Sequence, residues 1–99
     1  MRKSKKALTK NEEMTLRIRS ECDRIKELLV QKNTDYNNSL HSPPLLFDMD
    51  PATGIKARIN DKLNRIRQVG LNDKTEDTVD DLIGYLVHLQ IANKLNSKQ

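Results

Sequence analysis

Two groups of polar residues in this 99-residue chain have types and spacings that can do chemistry. The first is the run Lys32-Asn33-Thr34-Asp35-Tyr36-Asn37. The second is divided between two segments: Arg58, Asp61, Lys62 and Arg65, and then Asp77, Asp81, Tyr85 and His88. On helices, those spacings put each set along one flank. A guanidinium grips phosphate oxygens through its planar fork, and an ammonium attracts them as a point charge. Arg58, Lys62 and Arg65 therefore read as an anion site, with Lys32 and Asn33 as further polar contacts. The carboxylates of Asp35, Asp61, Asp77 and Asp81 would orient the bases, bind ribose hydroxyls or hold a metal. Tyr36 or Tyr85 would stack on a base. The same residues also fit an ion-pair network that ties helices together and needs no ligand. His88 is the acid–base candidate, although a hydrogen-bonded structural histidine fits its setting better. His41, in a Pro-flanked loop, is weaker. The chain has no phosphate loop, Gly-rich dinucleotide loop, nucleophile motif or HExxH, so no catalytic residue is assigned.

Three helices are expected to position these groups. Thr9-Lys10-Asn11-Glu12 has the spacing of a capping box. Met14, Ile18, Cys22, Ile25 and Leu29 then step along one face of a helix over about 10–32, opposite charged Glu13, Arg17, Arg24 and Glu27. On that stripe Cys22 reads as a small buried hydrophobe. Asn- and Ser-rich residues, Pro43-Pro44 and the apolar knot Leu45-Leu46-Phe47 make an irregular crossover. The knot is expected to pack back onto the helices or to face a partner. Asp50-Pro51 offers an N-cap and first residue for a second helix over about 52–69, with Thr53 as a rival cap and Gly70 as its stop. Its apolar stripe is Ile55, Ile59, Leu63 and Ile66. Thr75 is expected to cap a third helix over about 75–95, with Glu76 and Asp77 favoured in its first turn. Val79, Leu82, Ile83, Leu86, Leu89 and Asn93 mark its expected buried face. The short link makes the last two helices antiparallel neighbours, with Arg65 placed to meet Asp77 or Asp81.

Composition sets the class. The hydrophobic fraction is 35 %, with one Phe, two Tyr and no Trp. Three Gly and three Pro argue against a barrel or sandwich of short strands. The expectation is all-α, a single helical domain over 10–95 between a basic flexible arm, 1–9, and a polar tail, 96–99. So thin a core points to a homo-oligomer. One Cys excludes an internal disulfide. No apolar run is long enough to cross a membrane, so a cytoplasmic protein without membrane partners is expected. The net charge of +4 depends on the first ten residues, which carry Arg2, Lys3, Lys5, Lys6 and Lys10. Such an arm can touch nucleic acid phosphate, or simply be solvated.

The motifs Lys32-Asn33-x-Asp35-Tyr36, Ile59-x-Asp61-Lys62-Leu63-x-Arg65-Ile66 and Glu76-Asp77-Thr78-x-x-Asp81-Leu82-x-Gly84-Tyr85 resemble the nucleotide modification associated domain 1 family. The resemblance spans about residues 20–93. It implies a small helical protein of phages and bacteria, associated with modified-nucleotide metabolism or sequestering a nucleotide signal. For a phage-encoded chain, the place of action would be the bacterial host's cytoplasm. The matching polar positions are Lys32, Asn33, Asp35, Tyr36, Asp61, Lys62, Arg65, Asp77, Asp81 and Tyr85. A looser resemblance is to the MazG-type all-α NTP pyrophosphatases, which hold Mg²⁺ with Glu-x-x-Glu on one helix and Glu-x-x-Asp on another. Asp77-x-x-Asp80 imitates the second half, and the first is absent. Three readings follow: a nucleotide-binding module, a Mg²⁺-dependent pyrophosphohydrolase, and a non-enzymatic protein that inhibits a host partner or contacts DNA through its arm.

Overall fold

The computed structural model describes residues 7–42, 48–72, 74 and 77–97. Helix α1 spans Lys10–Asp35, α2 spans Pro51–Val69 and α3 spans Thr78–Ser97, with a single 3-10 turn at Ser39–His41. Among the described residues there is no strand, so the chain is all-α. No helix in the described residues is long and apolar enough to cross a membrane.

Capping chemistry explains the helix ends. The Thr9 hydroxyl accepts the Glu12 N–H at 3.0 Å, and the Glu12 carboxylate accepts the Thr9 N–H at 2.9 Å. This is the reciprocal box expected from the sequence. Asn37 and Asn38 end α1 in left-handed backbone, with φ of 52° and 63°. Asn tolerates that region better than most residues. Asp50, and not Thr53, caps α2, accepting the Thr53 N–H at 3.0 Å, with Pro51 as first residue. Hydrogen bonds from the Thr53 hydroxyl and then its N–H hold the Asp50 carboxyl below its ordinary value. Gly70, with φ of 84°, stops α2 as expected, donating to the Ile66 carbonyl at 2.8 Å. Helix α3 begins three residues later than the sequence suggested, after Asp77, whose carbonyl accepts the Asp81 N–H at 3.0 Å. The expected cap Thr75 and its neighbour Glu76 lie outside the described residues, as do the Leu45–Phe47 knot and residues 1–6 of the arm.

Helices α2 and α3 pack as an antiparallel hairpin. Ile55 is fully buried against Ala52 and Ala92, with Leu40, Ile59, Tyr85 and Leu89 packed around them. Helix α1 joins this hairpin through its C-terminal half only. Leu29 seats over Gly84, where a Cβ would stand 2.6 Å from Leu29 Cδ2. A larger residue there would push the end of the Leu29 side chain aside.

Two expected buried stripes are corrected. Along α1, Ile25 is buried and Leu29 half-buried, while Met14, Ile18 and Cys22 are exposed. The stripe is real, but the hairpin reaches only its second half. Along α3, Leu82 and Leu89 are half-buried, while Val79, Ile83, Leu86 and Asn93 are exposed. The helix instead buries Thr78, Asp80, Gly84 and Ala92. Leu63 of α2 is exposed as well.

This narrow core makes a sharp prediction. Ile55→Ala should cost about 3 kcal/mol, lowering the thermal midpoint by roughly 12–24 °C at fixed protein concentration. Leu16→Ala, on the far side of α1, should stay within about 0.5 kcal/mol. Melting followed by circular dichroism at 222 nm checks both.

A candidate ligand cleft between three helices

The last two turns of α1, the 3-10 turn, the middle of α2 and the first half of α3 enclose a cleft of about 420 Å³. Small-molecule sites fall in a range of roughly 300–1,000 Å³. Helix α1 contributes Leu28, Leu29, Lys32 and Asn33, and the segment after it contributes Tyr36, Ser39 and Leu40. Arg58 enters from α2, and Asp80, Asp81, Gly84, Tyr85 and His88 from α3. The asparagine turn creates this wall, because it folds the chain back so that Leu40 rests against the hairpin core.

Two aspartates organise the charge. Asp80 is bound by both terminal nitrogens of Arg24, at 2.8 and 3.0 Å, across the α1–α3 seam. Arg24 also holds Glu21 at 2.8 Å. The Arg24 hydrogen bonds keep the Asp80 and Glu21 carboxyls below their ordinary values, and the two acids push the guanidinium further up. Asp81 receives Lys32 of α1 at 3.2 Å and Lys62 of α2 at 3.1 Å. One carboxylate thus links all three helices. Arg58 lines the cleft, and among the described residues its guanidinium has no carboxylate partner.

His88 meets His41 at the far end, with His41 Nε2 and His88 Nδ1 separated by 2.9 Å. His41 Nδ1 is buried with no hydrogen-bond partner. A buried bare lone pair is easier to tolerate than a buried orphan N–H. That favours the tautomer in which His41 Nε2–H donates to His88 Nδ1, leaving His88 with an N–H at Nε2. Burial lowers the His88 pKa first, and the neighbouring His41 lowers it further. His88 is therefore hydrogen-bonded within the fold while it lines the cleft.

Of the residues singled out in the sequence, Lys32, Asn33, Tyr36, Arg58, Asp81 and Tyr85 converge on the cleft, and Lys62 reaches it through Asp81. Asp35 does not line it and accepts a hydrogen bond from Gln31 at 2.9 Å. Asp61 is exposed and Arg65 half-buried, and neither lines the cleft. Asp77 works at the start of α3. From α2, Asp81 is met by Lys62, one turn before Arg65. Sequence reasoning missed Arg24 and Asp80. Arg24 had been placed on the solvent face of α1, but its long side chain reaches round to the seam. A cue for Asp80 existed in its place one turn before Gly84, where α1 comes closest.

Among the described residues, the acids are not arranged as a Mg²⁺ site of the pyrophosphatase kind. Asp80 is engaged by Arg24, and Asp77 Oδ1 faces the Asp80 N–H at 3.4 Å. Such a site needs several open oxygen ligands converging on one octahedron. Among the described residues no three His, Cys, Asp or Glu side chains converge in that way.

No family model, curated protein or solved structure matches the chain.

The histidine pair predicts a pH dependence. Because the folded pKa of His88 lies below its unfolded value of about 6.5, the unfolded chain binds the extra proton first. Stability should then fall as pH drops through about 6.5 and level off below the folded pKa. His88→Gln, which removes the titrating ring, should flatten the melting temperature between pH 7 and the lowered pKa. An unchanged slope in that variant would show that the pair does not titrate as described.

Proposed function

We propose that this cleft binds a nucleotide or nucleotide-derived phosphate compound, as a small binding module of the kind the three motifs resemble. The observation that carries the reading is Arg58, a guanidinium on the cleft wall without a carboxylate partner among the described residues. Its planar fork suits two phosphate oxygens. Lys32 stands across the cleft on α1, and its ammonium is held by Asp81 at 3.2 Å. A phosphate between Arg58 and Lys32 would share Lys32 with that aspartate. Tyr36 and Tyr85 line the same space and offer faces on which a base can stack, as aromatic side chains do in single-strand nucleic acid sites. Asn33 adds an amide that both donates and accepts. Phage origin and action in a bacterial cytoplasm come from the motif resemblance alone.

Thermal-shift measurements against mono-, tri- and cyclic nucleotides test the reading. A nucleotide at ten times its dissociation constant should stabilise the fold by about 1.4 kcal/mol. That corresponds to a rise of roughly 6–11 °C. Arg58→Gln should weaken binding about 10- to 100-fold, the loss expected for a charge-assisted hydrogen bond. If no nucleotide raises the midpoint at millimolar concentration, the proposal fails.

A further inference from the structure

Helix α3 carries Val79, Ile83, Val87, Ile91 and Leu95, one every four residues, all exposed by 39–55 %. They form a continuous ridge of the kind that packs into the grooves of another helix. Leu86 broadens the ridge and is 46 % exposed. From Leu82 to Asn93 the helix has no Asp, Glu, Lys or Arg side chain at all. A helix apolar on every side belongs in an interior, not against water. Helix α1 presents a second strip of the same kind. Met14, Ile18 and Cys22 continue the face that Ile25 and Leu29 turn toward α3, but they project past the hairpin with nothing described over them. Across the described residues only Ile25, Ala52, Ile55 and Ala92 are buried hydrophobics.

We propose that a second copy of this chain covers these surfaces. In a two-fold symmetric dimer, the Met14–Ile18–Cys22 strip of each α1 lies on the Val79–Leu95 ridge of the other protomer's α3. Both strips are built on steps of four, so they interdigitate at a crossing angle of about −50°. Two-fold symmetry makes the contact occur twice and closes the assembly without leaving an open edge. Charged residues beside the α1 strip, Arg17 and Glu21, would form the polar rim such an interface requires.

Light scattering coupled to size exclusion and thiol labelling together test the proposal. The wild-type chain should elute at twice its 11.4 kDa mass, and its melting temperature should rise with concentration. Ile18→Asp and Val87→Asp, made separately, should each shift the mass toward one chain. In the unmodified protein, the rate of maleimide reaction at Cys22 should fall several-fold as the concentration rises through the dimer range. That measurement needs no folded variant. A wild-type chain that is monomeric at all concentrations yet melts cooperatively overturns the proposal. So does an oligomer whose mass survives both substitutions, or a labelling rate independent of concentration. In the last case, slow labelling of a monomer would assign the cover to another segment of the same chain.

Discussion

Asp80 is the charge on which the arrangement of α1 depends. Its side chain is only 10 % exposed, and a carboxylate so placed is stable only when something repays its lost hydration. Arg24 does so through two hydrogen bonds, and because Arg24 belongs to α1, the compensation also fixes where α1 lies. Few apolar contacts assist: Ile25 is buried, and Leu29 sits over Gly84. The hairpin of α2 and α3 has its own small core around Ile55, so the two halves of the fold are held by different forces. One is non-directional burial, and the other is a bidentate ion pair with strict geometry.

The cleft lies beside that division. Leu29 brings α1 close to α3 at Gly84, and the long side chains of Lys32 and Arg58 line the space next to that contact. Asp81 repeats the ion pairing with Lys32 and Lys62, one from each neighbouring helix. An anion seated there would meet cations that belong to different helices, so its binding would tighten the seam. The histidine pair closes the opposite end with a second directional contact, joining the 3-10 turn to α3. Because burial disfavours the charged form of His88, that contact is strongest when His88 is neutral.

How much of this was legible in the sequence follows from which kinds of force write locally. Caps are local, so Thr9 with Glu12, Asp50 with Pro51, and Gly70 were readable, as were the three helices and the absence of strands in what is described. Periodicity gave the correct face of α1, since Met14 and Ile18 lie in line with Ile25 and Leu29. It could not say that the hairpin ends near Cys22, because the extent of a partner is a property of the whole fold. The ion pairs were harder still. Arg24 and Asp80 are 56 positions apart, and nothing near either residue marks the other. The convergence of Lys32, Tyr36, Arg58, Asp81 and Tyr85 was readable because each lies beside an apolar stripe, where a flank becomes a cleft wall. Asp35, Asp61 and Asp77 shared the motifs but do not line that wall.

The failure at α3 is instructive in a different way. Periodicity identifies a buried face by contrast with a polar one, and between Leu82 and Asn93 this helix offers little contrast. Expecting Val79, Ile83 and Leu86 inside was a choice among several apolar sides. The fold chose the side bearing Gly84 and Ala92, where small residues allow helices to approach, and left the bulkier side bare. A helix with one satisfied apolar side and one bare apolar side is half of a layered structure. The strip left bare on α1 of a second copy is the neighbour proposed for that face.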